Sequence, residues 1–154
     1  MQAMKQHKEI LMATIGETPQ LITELLFFYS HKHYKDTRHF DEIIIFTTSR
    51  GKDLIIANIL GKSGRLNEME DFLKLQKGTF NFSKENIIVY KDLQGKDMSD
   101  TTSTENNIDA INTMFNVMRK YSSDLDSRIT ATCAGGRKTM SSMFTLAYQL
   151  IARK

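Results

Sequence analysis

Cys133-Ala134-Gly135-Gly136-Arg137-Lys138-Thr139-Met140 stands at a joint between two kinds of sequence. Before it, Arg128-Ile129-Thr130-Ala131-Thr132 is rich in β-branched residues and reads as a short strand. After it, residues 138–154 carry Met140, Met143, Phe144, Ala147, Leu150 and Ile151 on one helical face. Two glycines at a strand-to-helix turn permit positive φ and a close backbone approach to a ligand. The free N–H groups and the positive dipole end at the start of a helix favour an anion. Arg137 and Lys138 add two cations where the dipole disfavours them, which a phosphate held between them would explain. The same residues also read as a C-terminal helix that merely begins with basic side chains.

The joint recurs upstream. Glu9-Ile10-Leu11-Met12-Ala13-Thr14-Ile15 is a nearly continuous apolar run closed by Gly16, the pattern of a central strand covered on both faces. Thr18 and Pro19 then read as the cap and first residue of a helix with Leu21, Ile22, Leu25, Leu26 and Tyr29 at helical spacing. Ile43-Ile44-Ile45-Phe46-Thr47-Thr48 is a second buried strand, ending in Ser49-Arg50-Gly51 before a helical run with Leu54, Ile55, Ile56, Ile59 and Leu60. Residues 65–77 read as a further helix stopped by Gly78, and Phe80 and Phe82 as core contacts of a connector. Ile87-Ile88-Val89-Tyr90 is the third strand. Thr102 and Glu105 have capping-box spacing ahead of a helix with Ile108, Ile111, Phe115 and Met118 on one face. The hydroxyl and amide groups before that helix exceed what one cap requires.

Strand followed by helix four times over, with near-continuous apolar strands, predicts an α/β fold. The expected form is a Rossmann-like three-layer domain with a mainly parallel sheet, in one domain spanning 1–154. Ligands in such sheets sit outside the carboxyl ends of the strands, where all three polar clusters fall.

Composition narrows the partners. The 154 residues are 40% apolar and 25% charged, with a net charge of +3. That suits a small anionic ligand and falls short of the dense basic footprint of a duplex-binding module, so no duplex nucleic acid is expected. Cys133 is the single cysteine, which fits a reducing compartment. No apolar run approaches a membrane span and no apolar segment follows the basic N-terminus, so a cytoplasmic protein without a membrane partner is expected. Three of the histidines fall in the polar stretch His31-Lys32-His33-Tyr34-Lys35-Asp36-Thr37-Arg38-His39 without metal-ligand spacing, which reads as a solvated loop. No metal and no cofactor is expected.

Three motifs together go beyond generic Rossmann topology: Ala13-Thr14-Ile15-Gly16-Glu17-Thr18-Pro19-Gln20, Thr47-Thr48-Ser49-Arg50-Gly51, and Ala134-Gly135-Gly136-Arg137-Lys138-Thr139-Met140. With Asp100-Thr101-Thr102 and Asn107 between them, the chain resembles the CRISPR-associated Rossmann fold (CARF) domains over nearly its whole length. The closest resemblance is to the CRISPR-associated ring nucleases of the NE0113 type. It implies a homodimer that binds a cyclic oligoadenylate, most simply cyclic tetra-adenylate, across its two-fold axis and cuts it slowly without metal. It also implies that Lys138 matches the family's catalytic lysine, and Thr18 a hydroxyl position, often Ser, that aligns the ribose. The Thr keeps the hydroxyl and adds a methyl. Gly16, Glu17, Gln20, Thr48, Ser49, Arg50, Asp100, Thr101, Thr102, Asn107, Gly135, Gly136, Arg137 and Thr139 are the ligand-binding residues the resemblance implies. Many relatives continue into further strands or a nuclease domain, and the lack of an effector here favours a degrader of the ring over a sensor. A non-cleaving sensor that regulates an effector or partner is the alternative. An unrelated dinucleotide enzyme is disfavoured, because no Gly-x-Gly-x-x-Gly follows the first strand.

Overall fold

The computed structural model describes residues 7–31, 38–133 and 135–151. Four strands, β1 (Lys8–Thr14), β2 (Glu42–Thr47), β3 (Ile87–Val89) and β4 (Ser127–Thr132), form one sheet in the order β3-β2-β1-β4. Every pairing is parallel: Met12 lies opposite Ile44 on one side and Ala131 on the other, and Phe46 opposite Ile88. The connections are α1 (Gln20–Ser30), α2 (Ser49–Ile55) continuing as a π-helical segment Ile56–Leu60, α3 (Arg65–Phe72) and α4 (Thr104–Ser122). The last helix, α5 (Lys138–Ile151), follows β4. This is the α/β Rossmann-like architecture expected from the alternation of apolar strands and amphipathic helices.

The period-two alternation of a strand divides the core into two layers. Leu11, Ala13, Ile43, Ile45 and Ile87 pack with Ile22, Leu26, Ile55, Ile59, Leu66 and Met69 from α1, α2 with its π continuation, and α3. Ile10, Met12, Ile44 and Phe46 pack on the other face with Ala110, Met114 and Met118 of α4 and Met140, Phe144 and Ala147 of α5. Both faces of β1 and β2 are therefore covered, which is why their sequences are apolar without a polar alternate. Phe80 and Phe82 join the first layer as expected.

Three local readings are corrected. Thr18 is not a side-chain cap: α1 begins after Pro19, and among the described residues no side chain caps its first N–H groups. The cap of α4 is Ser103, whose Oγ accepts the Asn106 N–H at 3.1 Å, one residue beyond the expected Thr102. Helix α3 stops at Phe72 rather than reaching residue 77, because Lys74 takes a left-handed φ of 56°. The buried Glu70 carboxylate then draws the chain back, accepting N–H groups from Gly78 at 3.0 Å and Phe80 at 3.2 Å. Of the histidine-rich stretch, residues 32–37 lie outside the described residues, as do residues 152–154 of the expected last helix and Ala134.

Candidate functional site

The chain leaves β1 toward β2 on one side and returns to pair β4 on the other. The carboxyl ends of β1 and β4 therefore flank the topological switch point of the sheet, where the loops diverge and leave a crevice. Thr14, the last residue of β1, is fully buried, and its Oγ1 donates to the Gly135 carbonyl at 2.9 Å. Ser141 of α5 donates its hydroxyl to the same carbonyl at 3.1 Å. The two loops then touch through backbone: a Cβ on Gly16 would lie 2.9 Å from Gly136 Cα, closer than real Cβ atoms approach. Gly136 itself has a φ of 88°, so glycine at this turn is required by conformation as well as space.

Above this contact lies a cavity of about 350 Å³ lined by Gly16, Glu17, Thr18, Thr48, Asp100, Gly136, Arg137 and Met140. Apart from Met140 of α5, its residues come from four separate connections. The β1–α1 loop supplies Gly16, Glu17 and Thr18; the end of β2 supplies Thr48, which caps α2 by accepting the Gly51 N–H at 3.2 Å. The connector between β3 and α4 supplies Asp100, and the β4–α5 turn supplies Gly136 and Arg137. Arg137 and Met140 bring the start of α5 to its wall, with Lys138 as the first helical residue.

Charge at this rim is paired. Arg137 Nε and Nη2 donate to Asp100 Oδ1 and Oδ2 at 2.9 and 2.8 Å. Arg50 Nε lies 3.2 Å from Glu17 Oε1. The backbone N–H of Thr101, bonded to Asp100 Oδ1 at 2.7 Å, holds the Asp100 carboxyl below its ordinary range, with the Arg137 guanidinium assisting against partial burial. The rim is thus not the uniformly positive cradle that Arg50, Arg137 and Lys138 suggest. Two carboxylates offset two guanidinium groups, while Lys138 is exposed and enters no ion pair among the described residues.

Of the residues expected to bind, Gly16, Glu17, Thr18, Thr48, Asp100, Gly136 and Arg137 meet at one cavity. Arg50 reaches its rim through Glu17, and Gly135 underlies it. Gln20, Ser49, Thr101, Thr102, Asn107, Thr139 and Lys138 do not line it. Ser49 donates its backbone N–H to Met98 O at 2.9 Å, and Thr101 is buried with an Oγ1 that meets no partner among the described residues. Met140 stands on the apolar face of the last helix. It is buried, yet it also floors the cavity, with Sδ 3.1 Å from where a Gly136 Cβ would stand.

No curated protein and no solved structure matches the chain. A family model described as CRISPR-associated protein NE0113 (Cas_NE0113) matches residues 18–154, from the first residue of the Thr18-Pro19 loop through the glycine turn and beyond α5. Because that match takes in most of the chain, the protein belongs to the CRISPR-associated NE0113 family.

Proposed function

We propose that the cavity holds one segment of a cyclic oligoadenylate, that two copies of the chain hold the whole ring across a two-fold axis, and that the ring is cut there, ending type III CRISPR signalling. The observation that carries the reading is the convergence of Thr18, Thr48, Arg137 and the start of α5 on one cavity at the switch point, in a CRISPR-associated chain. A volume of about 350 Å³ is at the small end of small-molecule pockets, roughly 300–1,000 Å³. One protomer therefore accommodates a part of such a ring, and a symmetric pair accommodates it entire.

The chemistry asks little of the protein beyond position and charge. The ribose 2′-hydroxyl oxygen attacks the adjacent phosphorus in line with the 5′-oxygen. The P–O5′ bond breaks, the proton lost by the 2′-hydroxyl to solvent is balanced by one that the 5′-oxygen takes up, and a 2′,3′-cyclic phosphate remains. Thr18 aligns the ribose, while Lys138 and the N–H groups of α5 stabilise the negative charge that grows on the phosphorane. A clamp of this kind without a general base is slow. Two equivalent cleavages of cyclic tetra-adenylate give linear di-adenylates.

One observation favours a second reading, a sensor that binds without cutting: Lys138 lies beside the cavity and does not line it. The two readings separate when the protein is incubated with cyclic tetra- and hexa-adenylate in EDTA and the products are resolved by chromatography. Linear products carrying 2′,3′-cyclic phosphate support cleavage, tight binding of an intact ring supports the sensor, and no interaction with either ring overturns both.

A further inference from the structure

We propose that Asp100 is a positioning residue, a fixed strut that aims Arg137 at an anionic ligand, and that it does not itself bind the ligand. The inference rests on the ligand reading above and assigns a role that reading does not contain. A carboxylate in a phosphate cradle has three possible parts: it accepts from a sugar hydroxyl, it competes with the phosphate for an arginine, or it holds the arginine in place. The geometry separates them.

Asp100 is itself anchored on its backbone side. Its Oδ1 accepts the N–H of the next residue, Thr101, at 2.7 Å, and its carbonyl accepts from Asn106 Nδ2 at 3.3 Å. Asn106 in turn belongs to the first turn of α4, where its N–H bonds to the Ser103 cap. The backbone of Asp100 is therefore tied to a helix start, and its carboxylate to the next N–H, independently of Arg137. Arg137 meets it in the two-pronged mode, Nε and Nη2 on separate oxygens, which fixes the plane of the guanidinium as well as its place. Three of the roughly four acceptor positions on a carboxylate are filled in this way, and a sugar hydroxyl finds little room. Nη1 makes no bond among the described residues and remains for a phosphate oxygen.

The other pair at the rim is built differently. Both pairs are exposed, 69% and 59% for Arg50 and Glu17 against 57% and 45% for Arg137 and Asp100, but Arg50 and Glu17 share only a single contact, at 3.2 Å. A single exposed contact holds its partners weakly, whereas a two-pronged one fixes them. An arriving phosphate takes Arg50 from Glu17 readily, whereas Arg137 receives the phosphate without leaving Asp100. The β3–α4 connector thus enters the site indirectly, by bracing the β4–α5 turn across the cleft.

The test has a ligand-free arm and a ligand arm. In the free wild-type protein, the Arg137 Nε–H resonance is expected to be rigid and slow to exchange with water, and to become mobile in Asp100→Asn. With cyclic tetra-adenylate as titrant, Asp100→Asn is expected to weaken binding about tenfold, Asp100→Glu to fall between it and wild type, and Asp100→Asn to have no further effect in an Arg137→Ala background. Tighter or unchanged binding in Asp100→Asn overturns the strut, as do losses that multiply in the double variant, since Asp100 then acts on the ligand directly. Wild-type protein that binds no ring overturns the proposed function instead. The Nε resonance then reads the strut alone, and equal mobility with and without Asp100 overturns it.

Discussion

Thr14 Oγ1 donates a hydrogen bond of 2.9 Å to the carbonyl of Gly135, in full burial and across most of the length of the chain. This bond locks the end of the first strand to the glycine turn, and the floor of the cavity depends on it. Thr14→Val keeps the shape and removes the donor, leaving the carbonyl to Ser141 alone. The expected loss is about 1–2 kcal/mol of stability, read as a lower denaturation midpoint with an unchanged m-value. A variant as stable as wild type would show that Ser141 suffices.

Gly16→Ala addresses the same contact from the other side. The added Cβ meets Gly136 Cα at 2.9 Å, a backbone atom that cannot rotate away. The two loops must separate, at a cost of about 1–3 kcal/mol. Ring affinity measured by calorimetry is expected to fall at least tenfold, because the cavity walls move relative to one another. Affinity equal to wild type would mean that the ligand sits elsewhere.

Lys138→Ala tests the chemistry apart from the architecture. Its side chain is exposed and forms no ion pair among the described residues, so melting temperature and mass in solution are expected to stay at wild-type values. Single-turnover cleavage of cyclic tetra-adenylate is expected to drop by about 10²–10³-fold, the size of effect seen when one transition-state charge partner is removed. Wild-type turnover would take the catalytic role away from Lys138.

Acid sensitivity is expected at the opposite end of the sheet. Glu42 accepts Lys8 Nζ and the Tyr121 hydroxyl, each at 2.6 Å. Burial opposes its ionisation, but the bonds from Lys8 and Tyr121 outweigh that and hold its carboxyl below the ordinary value of 4.5. A depressed carboxylate contributes stability that is present above about pH 4.5 and is lost as pH falls through the folded-state value. Burial, then the Glu42 carboxylate, raises Tyr121, whose contribution holds below its ordinary value of 10.0 and is lost only in stronger alkali. Melting temperature followed from neutral to acid pH should decline less in Glu42→Gln than in wild type. Parallel acid limbs would rule out this cluster as the cause.

The fold was legible because the strands advertise it. Ile43-Ile44-Ile45-Phe46 has no polar alternate, which only a doubly covered strand requires, and the glycine turns mark where each strand yields to a helix. The cavity was legible to the extent that its residues sit at strand ends. Other features had no local signature. Thr48 looked like the tail of a strand and proved to be a cap, since hydroxyl residues serve both ends alike. The left-handed turn at Lys74 depends on the buried Glu70 gathering N–H groups from beyond it. The pairing of Asp100 with Arg137 joins residues of different connections, and nothing in the spacing of either residue announces its partner.

The register of β1 has a consequence for how the molecule comes together. Its neighbour β2 follows after one helix, but its other neighbour, β4, begins only at Ser127. Until that late segment docks, the strand at the middle of the sheet is an open edge, and the loop carrying Gly16 and Thr18 has nothing to lean on. Contacts so far apart along a chain form slowly. The cavity is therefore among the last parts of the domain to form during synthesis, and a chain released before Ser127 carries the hydroxyl of Thr18 and the guanidinium of Arg50 without the wall that Gly136 and Arg137 supply.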